Sequence, residues 1–368
     1  MSECCGPSQP CCGGTPALEY EYGPEPYVDG TVDTFAGPVK RVTTELSSED
    51  RLGALRVRLA IARNDYRVRP ALYAIGAPDD TSPVLVTGNY KLTFDTLRGE
   101  LGGRDVWLLV IDSRGVNVWC AAGKGVFSTA EVVRGIRDAR LEQTVSHTRV
   151  VLPQLGATGV AAHEVRAATG FSAVWGPVRA GDLPAFLDAG MKATPAMRRV
   201  HFELKDRARL VGVEASVLWS RRSVIAIGVL VAAAFILPRL TSLSGEIWLL
   251  TMAVGVLAVL AGAVVMPLLL PWLPGRTFAL KGAIAGALLL AVLLAVTVGA
   301  PLELWAWGLL SVGTALASFV GMNFTGSSTY TSPSGVEWEM RRAIPLQIAA
   351  ASVGFALFVV SLVMGQVG

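Results

Sequence analysis

Apolar positions along this chain change rhythm once. Up to about Arg222 they come in short bursts between charged and turn residues; beyond it they fuse into long uninterrupted runs. In the first regime Leu55, Val57, Leu59 and Ile61 alternate with Arg56 and Arg58, the period-two pattern that predicts a half-buried strand. Strand-like and helix-like segments then take turns. PVLVTGN (83–89), DVWLLVID (105–112), TRVVLPQL (148–155) and FSAVWGP (171–177) are short apolar runs bounded by turn residues and predict buried strands. Between them the spacing predicts helices over 91–101, 129–140 and 159–168, the last capped by Thr158, and a short one after Gly181. Such alternation predicts an α/β fold with a largely parallel, Rossmann-like sheet covered on both faces. Residues 1–50 read as a mostly irregular arm, and 51–215 as the α/β domain.

The second regime, 216–368, reads as an all-α transmembrane domain of five helices. Its apolar segments fall at about 223–240, 246–270, 278–299, 303–322 and 344–365, each near the ~20 residues a span requires. Arg221, Arg222, Arg276, Lys281, Arg341 and Arg342 share one side if the first segment runs outward from the cytosol, and Arg239 alone lies opposite. That asymmetry predicts a multi-pass protein of the cytoplasmic membrane, with the front domain and N-terminus cytosolic and the C-terminus external. Trp219, Trp248, Trp272, Trp305 and Trp307 stand near segment ends, as interfacial anchors do. No charged residue occupies the middle of a segment, which argues against an ion-coupled transporter.

A net charge of +3, dispersed along the chain, does not point to nucleic acid. The opening MSECCGPSQPCCGG lacks the basic start and apolar core of a signal peptide, so the front half is expected in the reducing cytosol. It holds the pairs Cys4–Cys5 and Cys11–Cys12. These either bind a soft metal ion as thiolates or are stray thiols in a loose tail, and they match no standard zinc spacing.

The fifth cysteine stands alone in NVWCAAGK (117–124). Asn117 is a good N-cap, so a short helix is expected to start at Val118, with Cys120 in its first turn, where the positive end favours thiolate. Lys124 adds positive charge one turn on. The site follows a buried strand, at the carboxyl end of the sheet where open α/β folds bind ligands. Ala121, Ala122 and Gly123 leave room for something broad and flat to approach. A catalytic nucleophile would need a local base, and His147, His163 and His201 are scattered. On these residues alone a buried structural cysteine and a thiolate ligand both stand. The Gly123–Lys124 pair partly matches a phosphate loop, but Val118 and Gly125 replace its required glycine and hydroxyl residue.

NVWCAAGK, with PVLVTGNYKLTFDTLR (83–98), VLPQLGATGVAAHEV (151–165), WGPVRAGDLPAFL (175–187) and MNFTGSSTYTSPSGV (322–336), resembles the corrinoid protein of the microbial mercury-methylation pair. The resemblance runs from about Leu55 to the C-terminus. The front half is also similar to the corrinoid domain of the corrinoid iron–sulfur protein of acetyl-CoA synthesis, which lacks this cysteine and the membrane half. The resemblance implies a cobalamin-type corrinoid, base-off, with Cys120 as catalytic residue and lower axial cobalt ligand. Asn117, Val118, Trp119, Ala121, Ala122, Gly123 and Lys124 would form the cap beneath the ring. Thr93 and the loop around Ala180 would line it, as would Thr87.

The same resemblance implies a cobalamin-dependent methyltransferase that moves methyl from a Cys-ligated methyl-corrinoid to Hg(II), giving methylmercury. A thiolate donor makes cobalt electron-rich, favouring release of methyl as a carbanion equivalent or radical. The implied partners are a small ferredoxin with two [4Fe–4S] clusters, as low-potential electron source, and a methyl-folate-type donor or its corrinoid protein. The N-terminal arm lies outside the resemblance; its pairs Cys4–Cys5 and Cys11–Cys12 are expected, separately, to capture or relay Hg(II). Two other readings stay open: a corrinoid methyl carrier of one-carbon metabolism, and a membrane permease with an α/β regulatory domain.

Overall fold

The computed structural model describes residues 22–59, 61–215, 245–299, 302–327 and 333–365. It divides into two compact units, Met1–Asp50 with Asn64–Arg198, and Arg51–Arg63 with Arg199–Gly368. The N-terminal cysteine pairs and the first expected span, 223–240, lie outside the described residues.

The first unit is built on a seven-stranded sheet among the described residues: β1 (Val28–Thr34), β2 (Gly37–Val42), β3 (Ala71–Ile75), β4 (Val84–Gly88), β5 (Val106–Ile111), β6 (Arg149–Leu152) and β7 (Ser172–Trp175). Their spatial order is β1-β2-β3-β5-β4-β6-β7. The block β5-β4-β6-β7 is parallel throughout, as the apolar runs predict. Two departures appear. The arm expected to be irregular contains the antiparallel hairpin β1–β2, whose alternation VDGTVDT carries few large apolar residues and so gives little hydrophobic signal. Strand β3 pairs antiparallel with β5, so the sheet is mixed rather than largely parallel.

The expected strand over Leu55–Ile61 is instead the end of helix α1 (Ser48–Arg58) and the turn after it. A capping box decides it. Asp50 N–H donates to Ser47 Oγ (3.1 Å) and Ser47 N–H donates back to Asp50 Oδ2 (3.0 Å), satisfying two donors at the helix start. Helices α2 (Lys91–Glu100), α3 (Val118–Gly123), α4 (Thr129–Asp138), α5 (Leu141–Thr144), α6 (Ala162–Thr169) and α7 (Leu183–Asp188) follow. Thr158 does not cap α6: the helix begins four residues later, after Ala161, whose N–H donates to Thr129 Oγ1 at 2.9 Å. Two apolar cores form. One joins Leu109, Ile111, Ala121, Phe127 and Val132; the other joins Tyr73, Phe94, Leu108, Val151 and Phe186.

The second unit contains α8 (Leu204–Ala215), α9 (Gly245–Leu260), a π-turn over Ala261–Val265, α10 (Met266–Leu269), α11 (Phe278–Thr297), α12 (Leu304–Asn323) and α13 (Pro333–Val363). Pro267 has no N–H for the carbonyl four residues back, so the turn before it widens. Four helices among the described residues are long and apolar enough to cross a membrane: Gly245–Leu269, Phe278–Thr297, Leu304–Asn323 and Ser334–Val363. They replace the expected segments from 246 onward within a few residues, except that the last starts ten residues earlier than 344. The carbonyls ending the first of them meet two cations. Arg207 donates to Leu268 O (2.5 Å) and Lys281 to Leu270 O (2.5 Å), matching positive charge to the negative end of a helix. Helices pack closely where side chains vanish: a Cβ at Gly282 would stand 2.7 Å from the Ala317 carbonyl oxygen.

Candidate functional site

Strand β4 sits between β5 and β6, so the chain leaves β4 in one direction and returns on its other side. That reversal opens a crevice beyond the carboxyl ends of β4 and β6, the ligand position of open α/β sheets. A cavity of about 280 Å³ occupies it. Thr87 at the end of β4, Pro153 after β6 and Gly176–Val178 after β7 form its floor and sides. Thr93 and Leu97 of α2, Ala180 before α7 and Leu183 at its start close one flank. Asn117, Val118 and Trp119 close the other.

A clamp aims the segment that leads to Asn117. Asn89, 0 % exposed, accepts from Ser113 N–H (3.0 Å), Ser113 Oγ (3.0 Å) and Gly115 N–H (2.8 Å). Its Nδ2 donates to Asp112 Oδ1 at 3.0 Å. Ser113 Oγ also lies 2.7 Å from Val116 O, so its single proton is shared between that carbonyl and Asn89 Oδ1. One side chain therefore fixes the whole turn between β5 and α3. Asn117 then caps α3, accepting from Cys120 N–H at 2.9 Å, as its residue type predicts. Sequence reasoning missed Asn89; an asparagine closing a buried strand was the only signal, and its partners lie 23 to 26 residues on.

Six of the expected cofactor residues thus meet in one cavity: Thr87, Thr93, Asn117, Val118, Trp119 and Ala180. Cys120, directly after three of them, is half-buried and free, and it is the only cysteine among the described residues. Ala121 and Ala122 turn inward to the core, while Gly123 and Lys124 are exposed. The alanines are small for a reason inside the protein. A Cβ added at Gly159 would come 2.2 Å from Phe127 O and 3.0 Å from Ala122 Cα, so the loop before α6 presses against the back of α3. His147 serves the opposite end of the sheet, its Nε2 within 2.9 Å of Ser82 O, and His163 is exposed. Among the described residues no three His, Cys, Asp or Glu side chains group as a metal site.

The cavity is mostly apolar, and one polar group in it is orphaned. Thr87 is 1 % exposed and its Oγ1 has no hydrogen-bond partner among the described residues. A buried hydroxyl left unpaired costs about 1–3 kcal/mol unless something supplies the partner. An α/β domain with a switch-point cavity, a capped helix at its mouth and an unspent hydroxyl inside is a ligand-binding domain by its geometry.

The family match falls on the segment that carries the cavity. Residues 52–187 match the family model described as CO dehydrogenase/acetyl-CoA synthase delta subunit. The chain is 38% identical over 128 residues to the acetyl-CoA decarbonylase/synthase complex subunit gamma of Methanopyrus kandleri, covering 34% of this chain and 27% of that protein. It is 31% identical over 127 residues to the corrinoid/iron–sulfur protein large subunit of Moorella thermoacetica, covering 34% of this chain and 28% of that one. The chain therefore spans little more than a quarter of the length of these relatives.

Proposed function

We propose that the α/β unit binds a corrinoid at the β4/β6 crevice and that the chain is a membrane-anchored corrinoid protein of methyl transfer. The observation that carries this is the switch-point cavity itself, with α3 at its mouth and the orphaned Thr87 hydroxyl within it. The relative named for a corrinoid, and the family match over residues 52–187, support the same ligand. The fit holds on this structure: at about 280 Å³ the cavity takes part of a corrin, its walls are apolar, and Thr87 has a hydrogen bond to offer. A corrinoid held there supplies a cobalt centre that accepts and releases a methyl group.

The residues divide the remaining work. Thr87 and Thr93 offer hydroxyls to the ligand's polar edge. Val118 and Trp119 exclude water from the crevice. Asn117 spends its side chain on the Cys120 N–H, fixing the first turn of α3 and with it the thiol. In this reading Cys120 would supply a thiolate donor to the cobalt, with Ala121, Ala122, Gly123 and Lys124 completing the cap helix. The four apolar helices anchor the unit to the cytoplasmic membrane, the front domain facing the cytosol.

The methyl acceptor separates two readings. The names of the relatives favour a methyl carrier of one-carbon metabolism. NVWCAAGK favours Hg(II) as acceptor, because a thiol donor makes cobalt electron-rich and Hg(II) takes up an electron-rich methyl group. Either reading needs a low-potential electron source, for which a ferredoxin with two [4Fe–4S] clusters is the partner of choice, and a methyl-folate-type donor. In the second reading Cys4, Cys5, Cys11 and Cys12 deliver the metal ion. Purified full-length protein loaded with corrinoid should show visible bands that shift in Cys120→Ala and shift differently in Cys120→His. Unchanged bands in both would remove the thiol from the cobalt. Methyl transfer to Hg(II), set beside transfer to an acetyl-CoA-forming enzyme, decides between the acceptors.

A further inference from the structure

The helical unit holds a cavity of about 310 Å³ between α11, α12 and α13. Its wall on α13 is one face of the helix, Glu339, Arg342, Leu346, Gln347 and Ala350, spaced three, four, one and three apart. Leu280, Ala283 and Ala315 supply apolar surface opposite. Three polar groups interlock inside. Glu339, 4 % exposed, accepts from the N–H of Ala279 (2.6 Å) in the first turn of α11, whose N-cap Thr277 makes no side-chain cap. Ser318 Oγ donates to Ala279 O (2.9 Å), so its one proton is spent and it accepts from Gln347 Nε2 (2.9 Å). That fixes the amide orientation and leaves the Gln347 carbonyl oxygen as the free end. Gln347 is 8 % exposed, and this oxygen has no partner among the described residues. A buried carbonyl without a donor is a hydrogen bond waiting for a ligand.

We propose that this cavity seats a membrane phospholipid whose headgroup carries a primary ammonium. The interior offers a carboxylate and a bare carbonyl, both acceptors, so the ligand must bring N–H donors and positive charge. A quaternary ammonium has no N–H, and an anionic headgroup has the wrong sign for Glu339. The exposed Arg342, its guanidinium 4.2 Å over the Trp338 ring, stands at the same cavity to meet the phosphate. The apolar wall takes the acyl chains. The helices around the cavity are those long enough to cross a membrane, where such a lipid is at hand.

The test is lipid retention by the full-length protein, read by native mass spectrometry after exchange into vesicles of phosphatidylethanolamine, phosphatidylcholine or phosphatidylglycerol. Wild type should retain the ethanolamine lipid over the choline lipid by about tenfold, the worth of one charge-assisted hydrogen bond. Gln347→Leu should bring that ratio near one. If this variant does not insert, Ala343→Phe decides, since it fills the cavity and leaves both acceptors in place. Equal retention of the two lipids by wild type, or an unchanged ratio in the variant that folds, overturns the proposal; a trapped water in place of lipid gives the former result.

Discussion

The Asn89 side chain accepts from the N–H groups of Ser113 and Gly115 and from the Ser113 hydroxyl, and donates to Asp112, while its own neighbour Gly88 ends β4. All four bonds converge on the turn that launches α3. Asn89→Leu keeps the volume but leaves two buried N–H groups unpaired, a cost of about 1–3 kcal/mol each. The expected result is a loss of about 3 kcal/mol in the unfolding free energy of the α/β unit by denaturant titration. Cys120 should also react faster with a thiol reagent, since the turn fixing its helix is loosened. Wild-type values on both counts would show that the cap is positioned some other way. Residue type and spacing made Asn117 legible as a cap; Asn89 was not, because what it does depends on partners that only the folded chain brings near.

At the scale of elements, α3 is held from behind as well as from its start. Phe127 N–H and Val126 N–H both donate to Ala121 O (3.1 and 2.9 Å), folding the chain back under the helix, and Gly159 presses on Phe127 O and Ala122. Because the atoms Gly159 meets are backbone, they cannot rotate away. Gly159→Val should therefore shift α3 and lower corrinoid retention on gel filtration about tenfold or more, with faster amide hydrogen exchange across 118–124 as the readout that needs no cofactor. Unchanged exchange there would relieve Gly159 of this role. The elements around the site were readable because buried parallel strands are continuous apolar runs. Other readings in the front half did not hold. Leu55, Val57, Leu59 and Ile61 satisfy period two, but Leu55–Leu59 and Val57–Ile61 are also i, i+4 pairs, so helix and strand fit the same letters; the Ser47–Asp50 capping box breaks the tie. ALYAI, the third strand, is too short to declare its antiparallel pairing with β5. The small residues after Cys120 read as clearance for a flat ligand, and two of the three are buried packing against Gly159 and Phe127.

Across the molecule, the break in hydropathy near Arg222 located the helical part, yet the structural division falls at Arg198 and assigns Arg51–Arg63 to the helical unit. Long-range grouping of that kind leaves no local trace. The first unit is tied together instead by a buried ionic cluster. Asp50 meets Lys91 Nζ and Arg98 Nη2 at 2.5 Å each, and Asp95 meets the same Lys91 (2.7 Å) and Arg98 Nε (2.9 Å). Arg98, 0 % exposed, also donates to the carbonyls of Thr43 (2.8 Å) and Glu45 (2.9 Å), which joins the segment after β2 to α2 beside the ligand cavity. Burial alone would raise the Asp50 carboxyl, but the hydrogen bonds and charges of Lys91 and Arg98 outweigh it and hold it well below the usual carboxylate range. A folded-state value lowered in this way gives stability that is complete above the unfolded value, about 3.9, and is lost as pH falls through it toward the folded one. Calorimetry of the full-length protein in detergent should therefore show the α/β transition steady from pH 7 to about 5 and falling steeply below it. Asp50→Asn should cost about 3 kcal/mol at pH 7 by leaving the buried Lys91 and Arg98 with only the Asp95 carboxylate between them, and should flatten the acid limb. An acid limb equally steep in the variant would assign the sensitivity to other carboxylates and leave the cluster a packing feature only.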